Sequence, residues 1–171
     1  MRGKSIAKYF EADTDRLDDL FKSFQQWMPG DYSRAREYFA AFQFGLQRHM
    51  AWEEEVLFPL CERKTGSSIA GLINEMKLEH REILLGVEEM ERKLRKRQPI
   101  EEQDKNDLLR LLEIHNEKEE KSLYPAIVQA ATKEDITRAF WEIKTMPDEK
   151  YFLHGGSPIA SETASGQWRN E

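Results

Sequence analysis

The sequence predicts an all-α protein: an up-down four-helix bundle with a short fifth helix and a C-terminal tail. Apolar residues recur at three- and four-residue spacing through most of the chain, as they do on the buried face of a helix. Only nine Gly and six Pro interrupt the 171 residues, and no stretch alternates polar and apolar residues as a half-buried strand does. The connections between these helices are a few residues long, which favours antiparallel neighbours.

The first two predicted helices are separated by a short break. The first covers about residues 5–27 and ends at Pro29-Gly30-Asp31, a combination that favours a turn. The second begins near Ser33, whose hydroxyl is expected to cap it, and runs to the turn at residues 65–68. Pro59 should kink or loosen its last turns, because proline lacks the N–H that an interior helical position needs.

The third and fourth predicted helices are followed by a short fifth one. The third ends before Pro99, and the fourth covers about residues 103–131. Thr132-Lys133-Glu134-Asp135 matches a capping box and starts the fifth helix. We assign the bundle with this helix to residues 1–147, and an extended or disordered tail, rich in Ser, Thr and Gly, to residues 148–171.

Composition and charge exclude several classes of partner. The net charge of −6 includes both signs, and the one basic run, residues 92–97, is expected to end a helix, where cations interact favourably with the helix dipole. We therefore expect no nucleic-acid partner. No apolar run approaches 18 residues, so no membrane partner is expected. A single cysteine, Cys61, and the absence of an N-terminal signal-peptide pattern favour a cytoplasmic protein.

A degenerate repeat carries the strongest functional signal. The segment HMAWEEEVLFPL, which begins at His49, recurs 66 positions later as HNEKEEKSLYPA, which begins at His115. In each segment a Glu, Glu53 or Glu119, follows the His at the fourth position, and this spacing places both side chains on one face of a helix. Two such pairs, each before the same Leu-aromatic-Pro tripeptide, indicate two halves of one buried polar site.

The same offset predicts where further ligands lie. It pairs His80 with Thr14, and the spacing agrees, because Thr14 to His49 and His80 to His115 are both 35 residues. A symmetric site would hold a fourth His where this chain has Thr. The candidate metal ligands are therefore His49, Glu53, His80, His115 and Glu119, with Thr14 and Asp18 as possible additions. The simpler interpretation of Thr14 is an inner-face filler, and that of Asp18 an outward-facing polar residue.

The residue types indicate a metal ion. Glu53 and Glu119 fall on otherwise apolar faces without Lys or Arg, and a carboxylate buried without a partner is costly, so a metal or protonated imidazoles must compensate. Carboxylate and imidazole ligands favour iron, manganese or zinc over calcium or magnesium. The order differs from the H-E-x-x-H of zinc proteases and from the Glu-x-x-His of ferritin-like sites. Glu54 and Glu120 are expected in solvent or behind the ligands, and Tyr124 in the core, where its hydroxyl could hydrogen-bond near the site.

The chain resembles the hemerythrin-like, or HHE cation-binding, family over about residues 5–131. The resemblance rests on three kinds of motif. The first is the segment DTDRLD at residues 13–18, where the family usually has His after the first Asp. The second is Glu79-His80, and the third is the pair of His-x3-Glu motifs that begin at His49 and His115, each with its Leu-aromatic-Pro tripeptide.

The resemblance implies a non-haem di-iron centre inside the bundle. By that resemblance Glu53 and Glu119 bridge the two metals, with His49 on one metal and His80 and His115 on the other. The Thr at position 14 departs from the family pattern and puts the metal beside His49 in doubt. That metal could be lost, or its ligands could be completed by water or by an aspartate: Asp13, Asp15 or Asp18.

Three functions remain open at this point. We expect an iron protein, with zinc or manganese as alternatives, that binds or senses dioxygen or another small diatomic ligand such as nitric oxide, or that handles iron. The alternatives are a redox enzyme-like role, in peroxide or nitric oxide turnover or the repair of iron centres, and a degenerate single-metal bundle that acts as an interaction module. Family members that repair iron centres carry an extra cysteine-containing N-terminal segment. We see none here, which favours a binding protein over a classical enzyme.

Overall fold

Within residues 3–152, the part of the chain that the computed structural model describes, every regular element is a helix. The α-helices are α1 (Gly3–Trp27), α2 (Tyr32–Trp52), α3 (Phe58–Thr65), α4 (Ala70–Arg95), α5 (Glu102–Lys118), α6 (Tyr124–Ala130) and α7 (Lys133–Thr145). A first π-helical segment, Glu53–Leu57, joins α2 to α3, and a second, Glu119–Leu123, joins α5 to α6. Short 3₁₀ turns cover Gly66–Ile69 and Asp148–Phe152. The prediction of an all-α protein is confirmed.

Two apolar clusters form the core, and each long helical stretch passes through both. The first cluster contains Phe10 and Phe58, and the second contains Phe21 and Phe42. Along the chain, α1 and α4 run from the first cluster to the second, whereas α2–α3 and α5–α6 run from the second to the first. Each helix buries its apolar face in this way and leaves the other face to solvent. None of the described helices is long and apolar enough to span a membrane.

The residue that caps α2 differs from the predicted one. Asp31 caps it, with an extended backbone at φ −135° and a carboxylate that accepts a hydrogen bond from the backbone N–H of Arg34 at 3.0 Å. Ser33 already lies inside the first turn, so the prediction of a Ser33 cap was wrong. Asp31 takes the role because the turn after Pro29 ends at its position, which leaves the helix to begin at the next residue. The capping box of Thr132 and Asp135 at the start of α7 forms as expected.

The loosening expected at Pro59 takes the form of a π-helical turn. The N–H of Phe58 bonds to the carbonyl of Glu53, five residues earlier, and the N–H of Tyr124 bonds to the carbonyl of Glu119 in the same way. A proline ring would clash with the carbonyl four residues before it in a regular helix, and the wider turn removes that clash before Pro59 and Pro125. Each π segment begins at a candidate ligand, Glu53 or Glu119, so the prolines help to set where those carboxylates point.

The start of the predicted tail is helical. Asp148–Phe152 forms a 3₁₀ turn whose Tyr151 is buried in the first cluster, with its ring centroid 5.9 Å from that of Phe44. Lys150 also pairs with Glu55 at 2.7 Å. The prediction of an extended or disordered tail was therefore wrong for residues 148–152, because an aromatic residue there finds an apolar surface to cover. The rest of the predicted tail, residues 153–171, lies outside the described residues.

Candidate metal centre

The five candidate ligands come from the inner parts of the long helical stretches α2–α3, α4 and α5–α6, and all are buried. They are His49 at the end of α2, Glu53 and Glu119 at the start of the two π segments, His80 in α4, and His115 near the end of α5. None exposes more than 4% of its surface. Helical spacing brings each His-x3-Glu pair to one face, and the packing of the helices turns these faces toward each other.

Four of these side chains form a compact group, which we call the central group: Glu53, His80, His115 and Glu119. One potential ligand atom from each lies within 4.8 Å of the others. The Nε2 atom of His80 lies 3.0 Å from Nε2 of His115 and 3.2 Å from Oε2 of Glu53, and Nε2 of His115 lies 3.1 Å from Oε1 of Glu119. Two imidazoles and two carboxylates thus converge on one point, a donor set that suits iron, manganese or zinc.

His49 lies on the other side of Glu53 and outside the central group. Its Nε2 atom is 3.3 Å from Oε1 of Glu53, whereas the Oε2 atom of the same carboxylate faces His80. The two oxygens of Glu53 therefore point toward imidazoles on opposite sides. Glu53 would therefore be able to hold a cation on either side, in the central group or beside His49.

Several buried carboxylate oxygens have no hydrogen bond among the described residues. These are both oxygens of Glu53 and the Oε1 atom of Glu119. The nearest imidazole nitrogens lie within ion-pair distance of these oxygens. Burial of charged oxygens costs several kcal/mol unless a cation compensates it, and that cation is either a protonated imidazole or a bound metal ion. The side chains present therefore fit a bound metal ion.

Each candidate histidine is held from behind by a carboxylate. The Nδ1 atoms of His49, His80 and His115 lie 2.9 Å from Asp13, 2.7 Å from Glu54 and 3.1 Å from Glu79, respectively. Such a bond fixes the ring orientation and places a proton on Nδ1, so that Nε2 is the nitrogen that would bind a metal. Asp13, which the sequence left open as a metal ligand, instead supports His49.

The sequence contained a signal for two of these supports. The repeat offset of 66 residues pairs Asp13 with Glu79, and each precedes its histidine partner by 36 residues. The same offset pairs Glu54 with Glu120. Glu54 supports His80. Glu120 is exposed, and the repeat counterpart of His80 is Thr14, which has no imidazole to support. Both residues were expected in solvent or behind the ligands. The structure places Glu54 behind His80 and Glu120 at the surface.

The charged side chains of the site shift one another's pKa. Burial by itself lowers the pKa of His49, but the charge of Glu53 and the hydrogen bond to Asp13 overcome that effect and raise it to about 10. Burial, together with the negative charge of Glu53, raises the pKa of Glu119 to about 7. Burial opposes ionisation of Glu53 too, yet the positive charge of His49 holds the pKa of Glu53 well below its ordinary value. A metal that binds here has to displace protons from the imidazoles, so its affinity should rise with pH.

Thr14 and Asp18 lie beside the site without joining the central group. Both are half-buried and line a cavity of about 20 Å³, whose wall also includes His49 and His115. Burial raises the pKa of the Asp18 carboxyl. Asp18 is thus less exposed than an outward-facing residue, and its role as a ligand stays a prediction.

The aromatic residues of the two tripeptides act differently at the site. The hydroxyl of Tyr124 donates a hydrogen bond to Oε2 of Glu119 at 2.9 Å. Its repeat counterpart, Phe58, has no hydroxyl and stacks on His80, with ring centroids 5.6 Å apart and an interplanar angle of 19°. Tyr124 therefore orients a carboxylate of the central group, whereas Phe58 packs against an imidazole.

Replacing Tyr124 with phenylalanine should lower metal affinity by about 10- to 100-fold, the usual effect of removing a group that orients a ligand. The Glu119 carboxylate would lose its donor and turn more freely. A competition titration against a coloured chelator measures the affinity. Tyr151→Phe is the matched control, because its buried hydroxyl bonds to the carbonyl of Met146 rather than to the site. An equal loss in both variants would show that Tyr124 acts through general packing.

The chain matches a protein-family model over most of its length. The model described as the hemerythrin HHE cation binding domain matches residues 5–138. The match runs from α1 into α7 and includes every candidate ligand. No curated protein and no solved structure matches the chain.

Proposed function

This chain belongs to the hemerythrin HHE cation-binding family, and from that premise we propose that it binds iron in the buried site between α2, α4 and α5. The observation that carries the proposal is the set of unsatisfied carboxylate oxygens on Glu53 and Glu119, which lie within reach of two imidazoles. Buried charge of this kind is retained where a cation compensates it. Zinc or manganese would suit the same donors, and the metal measured in the purified protein decides between them.

The two metal positions that the family implies are not equivalent in this chain. The central group supplies two imidazoles and two carboxylates to the first position. The second position, beside His49, has one imidazole, because position 14 is Thr. We therefore propose a tightly held first metal and a weaker second one.

Bound iron would supply a coordination position for a small diatomic ligand such as dioxygen or nitric oxide. The protein's own side chains hold and orient the site. Asp13, Glu54 and Glu79 accept hydrogen bonds from the Nδ1 atoms of the three histidines, so that each Nε2 would hold the metal once any proton on it is displaced. Phe10 packs against one side of the His49 ring, and Phe58 stacks on one face of the His80 ring. This arrangement supports a binding or sensing role.

A single-metal protein is the second candidate function. It is favoured by the composition of the central group, which is complete without His49. In that case the bundle would hold one structural metal and act as an interaction module. The number of metal ions per chain separates this candidate from the first.

We also propose that the long helices form an up-down four-helix bundle. The four long helical stretches alternate in direction between the two apolar clusters, which is the pattern expected of an up-down four-helix bundle.

We further propose a cytoplasmic protein without a nucleic-acid partner. The basic run at residues 92–97 supports the absence of a nucleic-acid partner, because part of its charge is neutralised within the protein. Arg92 pairs with Glu89, and Lys93 pairs with Asp104 at 2.6 Å.

The direct test is the metal content of the purified protein, together with its absorption spectrum in air. We expect one tightly bound metal ion per chain, partial occupancy of a second position, and loss of both in His80→Ala. His154→Ala is the control, since His154 is the one histidine that the site does not require and lies outside the described residues. A wild-type protein that holds no more metal than His80→Ala would overturn the proposal.

A further inference from the structure

The cavity beside His49 is large enough for a water-sized molecule. Its volume of about 20 Å³ exceeds the roughly 10–15 Å³ that one water requires. Its polar wall is formed by Thr14, Asp18, His49, His115 and Asn116. Apolar side chains of α1, α2 and α5 form the remainder. The cavity is thus small and partly polar, and it touches an imidazole of each predicted metal position.

The cavity adjoins a groove on the protein surface. Asp18, Leu112 and Asn116 line both the cavity and this groove, which follows α5 on the side that faces α1. Only these three side chains are shared between the interior space and the outer one. These three side chains lie between the two spaces, and we call them the mouth of the cavity.

The repeat explains why the opening lies on this side. On the opposite side, the ring of His80 is fully buried, covered by Phe58 and bonded to Glu54. The equivalent position is Thr14, whose side chain is too small to fill the volume of an imidazole. Glu120, the counterpart of Glu54, lines the groove instead of supporting a histidine. The His-to-Thr difference thus accounts for both the cavity and its position beside the groove.

The charge around the mouth limits what can pass. Four acidic side chains and one basic side chain line the groove: Asp18, Glu113, Glu117 and Glu120, and Arg110. Lys121 pairs with Glu117 and offsets one of the negative charges. A surplus of negative charge at a narrow opening repels anions and leaves neutral molecules unaffected. The lining of Asp18 and Asn116 also offers hydrogen bonds to a polar molecule.

We infer that this mouth is the access route to the metal centre, and that it admits neutral ligands of one or two heavy atoms. The inference rests on the proposed function, because the ligand is taken to bind the metal that the site holds. Thr14 sets the width of the route, and Asp18 and Asn116 set its polarity. Azide, an anion of three atoms, should bind more slowly than nitric oxide, and added salt, which screens charge but leaves size unchanged, should reduce the difference.

The test measures how fast nitric oxide, a neutral diatomic probe, binds to the iron-loaded ferrous protein in stopped-flow absorption. Thr14→Leu fills the cavity and should slow binding by about tenfold, within the range that association rates span among related variants. Thr14→Val keeps the size of the side chain and should bind at close to the wild-type rate. Asp18→Leu blocks the mouth from the surface side, with Asp18→Asn as its control, and gives a second measurement if Thr14→Leu does not fold.

The metal content of each variant is measured alongside the rate, so that two failures can be told apart. A wild-type protein without metal overturns the proposed function and the route with it. If Thr14→Leu and Asp18→Leu hold wild-type amounts of iron and bind nitric oxide at the wild-type rate, the route is wrong while the metal site stands. Azide binding as fast as nitric oxide, or azide binding that salt does not accelerate, would overturn the selection for neutral ligands.

Discussion

The His115→Ala variant should lose most of its bound metal and melt at a clearly lower temperature than the wild type. The Nε2 atom of His115 lies 3.0 Å from His80 and 3.1 Å from Glu119, at the centre of the ligand set. A metal that binds only the folded protein stabilises it by mass action, by about 2.7 kcal/mol at a free concentration one hundred times the Kd. Its loss also leaves the buried carboxylates of Glu53 and Glu119 without compensation.

Melting curves of the metal-loaded and metal-free forms separate this effect from simple loss of packing. The stabilisation that the metal gives to the wild type should be largely absent from His115→Ala. Glu119→Ala should behave in the same way, because it removes a carboxylate of the same group. If His115→Ala lowers the melting temperature equally in loaded and metal-free forms, its role is packing and the metal is not held there.

Thr14→His should raise the metal content toward two ions per chain and strengthen any absorption of an oxo-bridged di-iron pair. The new imidazole would enter the cavity beside His49 and give the proposed second metal the imidazole that it lacks. Glu120 lies at the repeat position from which Glu54 supports His80, so the new ring would also have a carboxylate behind it. The cavity of about 20 Å³ is smaller than an imidazole, so overpacking should cost about 1–3 kcal/mol.

Stoichiometry is therefore a better readout of Thr14→His than melting temperature. Thr14→Val is the control for the change at position 14, and it should leave the metal count unchanged. In a Glu120→Gln background the gain from Thr14→His should be smaller, because the support of the ring is weakened. A wild type that already holds two tightly bound metals, with neither the count nor the spectrum changed by Thr14→His, would contradict the missing-ligand hypothesis.

Much of the architecture followed from local sequence signals. The apolar spacing, together with Pro29, Gly30 and the capping box at Thr132, placed the helices close to their observed bounds. Local signals failed where two residues could do the same task, as Asp31 and Ser33 could at the start of α2. They also failed at Tyr151, whose burial depends on an apolar surface that distant helices build.

The candidate ligands were also predicted from the sequence, although the carboxylates that support them were not. The two His-x3-Glu pairs and the offset to His80 identified all five side chains that the structure brings together. The supporting carboxylates were harder to predict, because the offset that pairs Asp13 with Glu79 gives no partner for either one. A hydrogen bond between residues 26 or 36 positions apart depends on how two helices are packed, and no local pattern specifies that.

The sequence by itself determined the helices, the faces they bury and the five candidate ligands, because each of these depends on spacing along a helix or on the repeat. It also determined that position 14 lacks an imidazole. Only the tertiary structure decided what that difference produces. The helices pack closely enough to cover His80 completely, yet around the smaller Thr14 they leave a cavity beside an acidic groove. Whether a missing side chain is filled or left open depends on the neighbouring helices, whose approach is set by packing across the whole core.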